Sequence, residues 1–313
     1  MGAFVTRAPL RIALGGGGTD LPSHYRKAGG FVVSAAIDKY VHMVTTLAFR
    51  PRYVLKHLED EEAETPEEIR HPILRAALSR HWDGQPLEIA SGSDVPPGTG
   101  LGSSGAYTVC VLRSLELAAG RQSRSPAELA EAACEIEIDV LGRTVGKQDQ
   151  YAAAHGGVRA YSFNPDDSVV ARPLDLPGEV RAALRDQFLL FYTGKERSAS
   201  EILSHQVSRT LAGDADAERN LARTEELARA TCATLEAGEL HRLEELMDEQ
   251  WEVKRARAPG AVPDEIEELR AHAKKAGALG VILVGAGGGG FLVSLFFVGG
   301  SLLRARRPAT AEG

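Results

Sequence analysis

A glycine-rich stretch with two adjacent serines carries the strongest chemical signal in the chain. Glycines alternate at Gly98, Gly100 and Gly102, and Ser103 and Ser104 follow directly before an apolar segment with helical periodicity. Glycines let the backbone approach an anion closely, and the free N–H groups and dipole of a helix start attract phosphate. The serine hydroxyls could cap the helix or reach a metal ion held by phosphates. The stretch predicts an anion-binding loop, and the alternative is a tight turn with an ordinary serine N-cap.

Two further glycine loops lie near the two ends of the chain. An alternating strand pattern leads into residues 15–18, all glycine, and then into Asp20, which is either a ligand-binding carboxylate or a turn or N-cap residue. Arg11 on the same strand needs an anionic partner if it faces inward. The late loop, residues 285–290, matches the dinucleotide-binding pattern, but an apolar strand follows it where that site needs a helix. Residues 142–148 are one residue short of a Walker loop and offer glutamine where a hydroxyl is needed, so both nucleotide motifs are excluded.

Two carboxylates between these loops, Glu137 and Asp149, are candidates for metal binding or proton chemistry. Glu137 lies at the margin of an apolar helical stripe, where a carboxylate is either solvated or paired with a cation. Asp149 lies in the polar cluster of residues 146–151, where the local alternative is a helix N-cap. The local pattern leaves both alternatives open.

Composition and charge indicate a globular protein of two domains. The 313 residues exceed one typical domain. Asp and Glu outnumber Lys and Arg by 43 to 36, a net charge of −7, which argues against a nucleic-acid-binding surface and leaves room for a local basic pocket. Cys110, Cys134 and Cys232 lack a pairing or metal-binding spacing, which favours reduced thiols. With no export signal at the N-terminus, we expect a cytoplasmic protein.

An uncharged apolar segment, residues 276–303, is long enough to span a bilayer. Its glycine-rich centre would be a poor helix interior, and strand-like residues 281–284 and 291–298 flank that centre. The pattern therefore favours a strand, a glycine loop and a strand without membrane association, and a tail-anchored protein is the alternative.

The elements that must position these residues form a β-rich first half and a helix-rich second half. Strands are predicted over residues 5–14, 31–47, 53–57, 87–91, 158–163, 169–174 and 188–192, and helices over residues 67–81 and 107–118. Ser125 to Glu128 form a capping box with proline at the first helical position, so a helix begins there. We place a domain boundary near residue 180. In the second part, residues 221–235 repeat with helical spacing and stop at Gly238, a further helix follows through Trp251, and another begins at Asp264.

The order and spacing of the three glycine loops resemble those of the GHMP small-molecule kinases over nearly the whole chain. Residues 7–11 and 18–20 match the family's first motif, residues 97–104 its phosphate loop Pro-x-x-Gly-Leu-Gly-Ser-Ser, and residues 285–290 its late glycine loop. The resemblance implies an α+β fold of two domains. Residues 1–180 would resemble domain 2 of ribosomal protein S5 and carry the ATP-binding loop, and residues 181–313 would form a ferredoxin-like domain that completes the substrate cleft.

Four shorter phrases are similar to those of the heptose 7-phosphate kinase branch of this family. They are residues 15–22, 37–40, 146–151 and 192–194. Members of that branch use ATP to phosphorylate the anomeric hydroxyl of a phosphorylated heptose, so the resemblance implies ATP and Mg²⁺ as cofactors and a small-molecule sugar phosphate as substrate. A galactokinase-like or fucokinase-like enzyme and a non-catalytic sugar and ATP sensor of the same fold are the alternatives. Monomer and homodimer are both open.

The resemblance also assigns roles to individual residues. Asp149 matches the catalytic aspartate that accepts or orients the hydroxyl proton, and Arg11 matches the cation that stabilises charge beside it. Ser104 and Glu137 match the magnesium ligands. The ATP-binding assignment covers Pro97, Gly98, Gly100, Leu101, Gly102, Ser103 and Ser104, and the substrate-binding assignment covers Arg7, Gly17, Gly18, Thr19, Asp20, Lys147, Gly287 and Gly288. The distal phosphate is expected to bind a cation among Arg7, Lys147, Lys195 and Arg197, which the sequence does not rank.

The chain departs from the heptose branch in its last forty residues. Residues 280–283 read Gly-Val-Ile-Leu where the branch has Gly-Gly-Lys-Leu. Residues 297–301 and a basic tail stand where the family continues through a polar stretch, a helix and a final strand. We therefore expect the C-terminal domain to lack its last elements and to leave an open sheet edge.

Overall fold

The computed structural model of the protein describes residues 2–57, 59–195, 199–258 and 260–296. The strands are β1 (Phe4–Gly15), β2 (Gly30–Leu47), β3 (Tyr53–Lys56), β4 (Glu61–Ala63), β5 (Leu87–Ser93), β6 (Val158–Phe163), β7 (Val169–Pro173), β8 (Phe188–Tyr192), β9 (Ala278–Leu283) and β10 (Phe291–Phe296). The α-helices are α1 (Pro22–Ala28), α2 (Pro72–His81), α3 (Ser103–Ala118), α4 (Pro126–Cys134), α5 (Gln148–His155), α6 (Gly178–Asp186), α7 (Ala199–Leu211), α8 (Ala215–Ala237), α9 (Leu243–Arg257) and α10 (Asp264–Lys275). This mixture of helices and strands confirms the predicted α+β class.

Strand β2 is the centre of the N-terminal sheet, whose strands follow the order β4, β3, β5, β2, β6, β7. Along one edge β2 pairs antiparallel with β1 for nearly its full length, from the pair of Thr45 with Phe4 to the pair of Val33 with Gly15. Along the other edge it pairs with β6 near its start and with β5 near its end. A single long strand therefore joins the two halves of this sheet, as the predicted strand over residues 31–47 requires.

The pairing of β1 with β2 is irregular where β1 carries Arg11. The register moves from Pro9 opposite Tyr40 to Arg11 opposite Ala36, so that β2 contains the extra residues. Proline has no N–H to donate to the ladder, and bulges redirect side chains beside functional sites. The backbone N–H of Arg11 donates to the carbonyl of Leu101 at 3.0 Å, which ties β1 to the glycine loop that precedes α3.

Helices α3, α4 and α5 carry the residues between the predicted glycine loop and Asp149. The predicted capping box at the start of α4 is confirmed: the Ser125 hydroxyl accepts from the Glu128 N–H at 3.3 Å, and the Glu128 carboxylate accepts from the Ser125 N–H at 2.8 Å. The chain continues from α4 into a π-helical segment, Glu135–Val140, which contains Glu137. Helix α3 packs on β1 and β2, and α5 packs on α3 and α4, so the helices cover one face of the sheet.

A smaller antiparallel sheet with the order β8, β10, β9 forms in the second half of the chain. Helix α8 packs on β1 and β2, and its Ala228 lies in one hydrophobic core with Leu14 of β1 and Ile282 of β9. Residues 284–290 form the loop between β9 and β10, which confirms the predicted strand, glycine loop and strand. Among the described residues we find no helix with both the length and the apolar character needed to cross a bilayer.

Sequence patterns missed two helices, α6 and α7, because the apolar residues that α6 and α7 bury are few: Val180 and Ala183 in α6, and Ile202 among the described side chains of α7. Residues 297–313 lie outside the described residues. The expectations for residues 297–301 and the basic tail therefore stay predictions.

Candidate active site

Arg11 and Asp149, predicted to act together, form an ion pair. The Nε of Arg11 donates to Asp149 Oδ1 at 2.7 Å, and Arg11 Nη2 lies 2.5 Å from the same oxygen. Arg11 Nη1 donates to the carbonyl of Gly100 at 2.6 Å. The side chain of Arg11 is 7% exposed and that of Asp149 is 31% exposed, so the carboxylate keeps an open side while its cation is enclosed. The guanidinium therefore holds the carboxylate and the glycine loop in fixed relation.

The predicted glycine loop leads into α3 with three glycines in the left-handed region. Gly98, Gly100 and Gly102 have φ values of 76°, 82° and 78°. Gly102 is the N-cap residue and no side chain caps the helix, so the alternative of a serine N-cap is wrong. Ser103 and Ser104 instead occupy the first turn of α3, where unpaired N–H groups and the helix dipole favour an anion.

Close packing with the late loop fixes the path of the glycine loop. A Cβ on Gly100 would lie 2.8 Å from the carbonyl oxygen of Val284, and a Cβ on Gly285 would lie 2.6 Å from the Cα of Gly100. Neither position has room for a side chain. The late glycine loop therefore packs directly on the phosphate-loop motif.

Ser104 and Glu137, the predicted magnesium ligands, are in direct contact. The Ser104 hydroxyl donates to Glu137 Oε2, and the other carboxylate oxygen accepts from Gln150 at 2.9 Å and from Thr108 at 3.2 Å. Glu137 is fully buried. It lies on the π-helical segment, and π-bulges are frequent at functional sites. A hydroxyl and a carboxylate are oxygen donors of the kind that Mg²⁺ prefers, so the residues fit this ion.

Arg143 is a further member of this cluster. Its Nη1 donates to Ser104 Oγ at 2.9 Å and to Glu137 Oε2 at 3.2 Å. Within the described residues, this guanidinium is the ion-pair partner of the buried Glu137 carboxylate. Sequence reasoning missed Arg143, although it lies in the 142–148 segment that resembles a Walker loop.

Two cavities are both lined by residues at the start of α3 and in the loop before it. The larger has a volume of about 390 Å³, and the smaller, which we call the acceptor cleft, has a volume of about 190 Å³. Gly98, Ser103 and Ser104 line both. Arg143 lines the larger cavity and Asp149 the acceptor cleft. A ligand in each would therefore meet the other across the start of α3.

Aromatic rings form one side of the larger cavity. The rings of His57, His71 and Tyr107 make successive contacts with centroid distances of 5.1 and 5.0 Å. Burial, with repulsion from His57 and Arg143, lowers the pKa of His71 to about 4, so its ring is neutral at physiological pH. Its Nδ1 accepts from the Leu74 N–H and so caps α2. The neutral ring of His71 and the ring of Tyr107 offer an aromatic surface that suits a heterocycle.

Asp20 lies in the acceptor cleft and also holds the start of α5. Its Oδ2 accepts from the Gln148 N–H at 3.1 Å, and its Oδ1 accepts from the Gly18 N–H at 3.0 Å. Gly146 packs so closely on this carboxylate that a Cβ there would lie 1.9 Å from Oδ2. Burial and the nearby charge of Asp149 raise the pKa of Asp20. Asp20 therefore links the N-terminal glycine loop to the helix that carries Asp149.

Gly17, Gly18 and Asp20 line the acceptor cleft, but the five other residues predicted to bind substrate do not. Thr19 is fully buried, and its hydroxyl donates to the carbonyls of Gly16 and Phe31. Gly287 and Gly288 pack against the backbone of Ala261, because the loop turns away after Gly285 and Ala286. Lys147 Nζ is held by the Glu131 carboxylate and by the Asp167 carbonyl. The polar groups that were predicted to bind the substrate are therefore bonded within the protein itself.

The cations predicted for a distal phosphate also lie away from the acceptor cleft. Arg7 lies over the ring of Tyr40, 4.5 Å from its centroid. Lys195 pairs with Glu265 at 2.7 Å on the surface. Arg197 lies outside the described residues. Among the described residues, the cation that lines this cleft beside Arg11 is Arg257 of α9, which sequence reasoning missed together with Leu203 and Gln206 of α7.

Comparison with known proteins gives consistent matches. The family model described as GHMP kinases N terminal domain matches residues 71–157, and that described as GHMP kinases C terminal matches residues 228–311. The chain is 29% identical to a D-glycero-alpha-D-manno-heptose 7-phosphate kinase of Campylobacter jejuni, with 94% of this chain and 88% of that protein aligned. It is 30% identical to a galactokinase of Roseiflexus, with 93% and 83% aligned.

Solved structures share the fold. A D-glycero-D-manno-heptose 1-phosphate kinase from Bacteroides thetaiotaomicron has a TM-score of 0.75 at 23% identity and aligns with 93% of this chain and 88% of its own. A galactokinase of Lactococcus lactis, solved with galactose, has a TM-score of 0.74 at 18% identity, with 94% and 85% aligned. The two-domain architecture expected from the sequence is thus the architecture of these enzymes.

Proposed function

Because this chain belongs to the GHMP kinase family and is an ATP-dependent phosphotransferase, we propose that it phosphorylates the anomeric C1 hydroxyl of a heptose 7-phosphate. The products are ADP and the heptose 1,7-bisphosphate. One observation carries the proposal: the Arg11–Asp149 pair lies in a cleft that shares Gly98, Ser103 and Ser104 with a larger cavity. This arrangement brings an acceptor hydroxyl in the cleft next to a phosphoryl group held at the start of α3.

Asp149 is the residue that handles the acceptor hydroxyl. Its carboxylate accepts a hydrogen bond from the C1 hydroxyl and takes the proton as the oxygen bonds to the γ-phosphorus and the bond to the β-phosphate oxygen breaks. Arg11 keeps the carboxylate aimed through two hydrogen-bonding nitrogens and stabilises its negative charge. Since phosphoryl transfer depends mainly on positioning and electrostatics, this weak base is sufficient.

The larger cavity is the nucleotide site in this proposal. The neutral rings of His71 and Tyr107 offer a wall for the adenine, and the N–H groups at the start of α3 bind the phosphates. Ser104 and Glu137 would hold Mg²⁺, which neutralises charge on the phosphates when it is bound. Arg143 donates to both of these residues and reaches the same cavity, so its guanidinium is available to the triphosphate.

The heptose phosphate is proposed over other acceptors because the Campylobacter kinase aligns with nearly the whole chain. Galactokinases and mevalonate kinases are also relatives, so hexoses, fucose and mevalonate are the competing acceptors. We further propose that residues 1–180 form the nucleotide-binding domain. Residues 181–313 then complete the acceptor cleft through α7 and α9.

A substrate panel tests this proposal. The purified chain is incubated with ATP and Mg²⁺ and, in parallel, with heptose 7-phosphate, unphosphorylated heptose, galactose, fucose and mevalonate, and ADP release is followed. Phosphorus NMR of the product identifies the phosphorylated carbon. We expect the highest kcat/KM with heptose 7-phosphate and an anomeric phosphate in the product. A higher kcat/KM with an unphosphorylated acceptor would refute the assignment.

A further inference from the structure

Arg257 is a cation at the wall of the acceptor cleft that forms no ion pair with any of the described residues. Its Nη1 donates to the Gly17 carbonyl at 2.7 Å, its Nη2 to Thr224 Oγ1 at 2.8 Å, and its Nε to the amide oxygen of Asn220 at 3.2 Å. All three acceptors are neutral, and no ion pair forms with a carboxylate among the residues that the structure describes. A desolvated guanidinium in such surroundings is stabilised when an anion binds next to it.

Lys254, one turn earlier on α9, repeats this arrangement. Its Nζ donates to the carbonyls of Leu283 at 2.6 Å and Gly285 at 2.5 Å, and the described part of the chain provides it with no carboxylate. A small cavity of about 60 Å³ is lined by Lys254 and Arg257 together with Gly17 and Gly285, which also line the acceptor cleft. The two cations therefore adjoin the same space.

Desolvation acts on both groups, and repulsion from neighbouring cations acts on Lys254. Burial, then Arg257 and then Arg11, lowers the pKa of Lys254 to about 7, and burial lowers the pKa of Arg257 to about 10. The carboxylate of Asp20 raises the pKa of Arg257 from a distance, but its oxygens are bonded to backbone N–H groups of Gly18 and Gln148. Asp149 is paired with Arg11. Within the described structure, neither Arg257 nor Lys254 therefore has a carboxylate within ion-pair distance.

We propose that Arg257, assisted by Lys254, binds the phosphate monoester at the far end of the sugar substrate, the end away from the hydroxyl that faces Asp149. The inference rests on the proposed function, since it assumes a phosphorylated acceptor in the acceptor cleft. A planar guanidinium suits a phosphate because its N–H groups match two phosphate oxygens. Arg7, Lys147 and Lys195 are engaged elsewhere, as their contacts with Tyr40, Glu131 and Glu265 indicate.

The test compares phosphorylated and unphosphorylated acceptors in Arg257→Gln. We expect kcat/KM for heptose 7-phosphate to fall roughly 10- to 100-fold, the effect of losing a charged hydrogen bond. The loss with unphosphorylated heptose is much smaller, so the preference for the phosphorylated sugar collapses. Arg255→Gln is the matched control, because Arg255 lies on the same helix and pairs with Glu252 on the surface. It should leave the preference unchanged.

Structural and electrostatic roles for Arg257 are separated by the ratio of the two substrates. If Arg257 only held the Gly17 carbonyl, Arg257→Gln would reduce turnover of both sugars equally, and the proposal would be overturned. Arg257→Lys keeps the positive charge but loses the paired N–H groups of the guanidinium, so it should restore part of the preference for the phosphorylated sugar. Thermal unfolding shows whether each variant is folded.

The proposal can also fail separately from the proposed function. If the wild-type chain phosphorylates only unphosphorylated sugars, the heptose phosphate assignment is wrong. Inorganic phosphate titrated into the wild-type protein by calorimetry then decides on the anion site alone. Binding that is lost in Arg257→Gln and retained in Arg255→Gln supports the site, and absence of binding refutes it.

Discussion

Replacing Asp149 by asparagine separates the chemistry of its carboxylate from the packing of its side chain. The amide has nearly the same shape, and its oxygen can still accept from Arg11 Nε, which lies 2.7 Å from Oδ1 in the wild-type protein. What is removed is the negative charge, and with it the ability to take a proton from the acceptor hydroxyl. We therefore expect kcat to fall roughly 10²- to 10⁴-fold, the range for loss of a general base.

The same substitution should change stability only modestly. A hydrogen bond to a charged group contributes about 1.5–3 kcal/mol and a neutral one about 0.5–1.5 kcal/mol. The difference is reduced by solvent because the Asp149 side chain is 31% exposed. We expect a loss of about 1 kcal/mol in the free energy of unfolding, and each kcal/mol corresponds to a fall of about 2–4 °C in Tm for chains of 150–250 residues.

The assay for this variant has three readouts: ADP release, ATP binding by calorimetry, and thermal unfolding. Asp139→Asn, the same change at an exposed carboxylate of the π-helical segment, is the control and should match the wild-type protein in all three. The loss of a general base should reduce turnover far more than tenfold. Turnover of Asp149→Asn within about tenfold of the wild-type value would therefore refute the role of Asp149. Loss of ATP binding would show that the substitution acts on the nucleotide site, whereas a non-catalytic sensor would keep its ligand binding and have no turnover to lose.

Three further predictions concern the metal pair, Arg143 and Lys254. Glu137→Gln should raise the Mg²⁺ concentration needed for half-maximal activity by about tenfold or more, because a carboxylate ligand is lost; Mg²⁺ titration at fixed ATP measures it. Arg143→Met should raise KM for ATP roughly 10- to 100-fold, with Arg143→Lys intermediate, since a charged hydrogen bond is removed; unchanged KM would show that Arg143 only buries Glu137. Lys254 has a pKa lowered to about 7 by burial, Arg257 and Arg11, so it is charged below that pH and neutral above it. KM for heptose 7-phosphate at saturating ATP should therefore rise several-fold between about pH 6.5 and 8.5, a range in which the phosphate, with an ionisation near 6, is already mostly dianionic, and Lys254→Met should abolish this rise.

Residues whose roles follow from local sequence were predicted well. The capping box at Ser125, the long strand β2 and the strand, loop and strand after residue 276 depend on neighbours within a few residues, and the structure confirms them. The contact of Arg11 with Asp149 joins residues 138 positions apart, and it was expected only because the family motifs place both at the active site.

Residues that depend on the packing of distant elements were missed or misassigned. Arg257 reaches Gly17 across 240 positions, and no local pattern on α9 distinguishes it from the exposed Arg255 two residues earlier. Lys147 was one of the candidate cations for the distal phosphate, and it lies two residues before Asp149 in the sequence. On a helix start, however, neighbouring side chains diverge, and Lys147 turns to Glu131 of α4. Sequence adjacency was therefore a poor guide to which cation lines the acceptor cleft.

The late glycine loop illustrates how glycines of a motif can fix a backbone path without lining the ligand cleft. A Cβ on Gly287 would lie 2.3 Å from the Ala261 carbonyl oxygen, and one on Gly290 would lie 2.2 Å from the Thr99 carbonyl oxygen. These glycines allow the loop between β9 and β10 to lie directly on the backbone before α3 and after α9. Because Gly285 meets Gly100 in the same way, the loop presses the phosphate-binding turn against the small sheet. Its glycines thus fix the position of the α3 N-terminus relative to α9, which carries Lys254 and Arg257. They therefore set the distance between the proposed site of phosphoryl transfer and the proposed phosphate-binding end of the acceptor cleft.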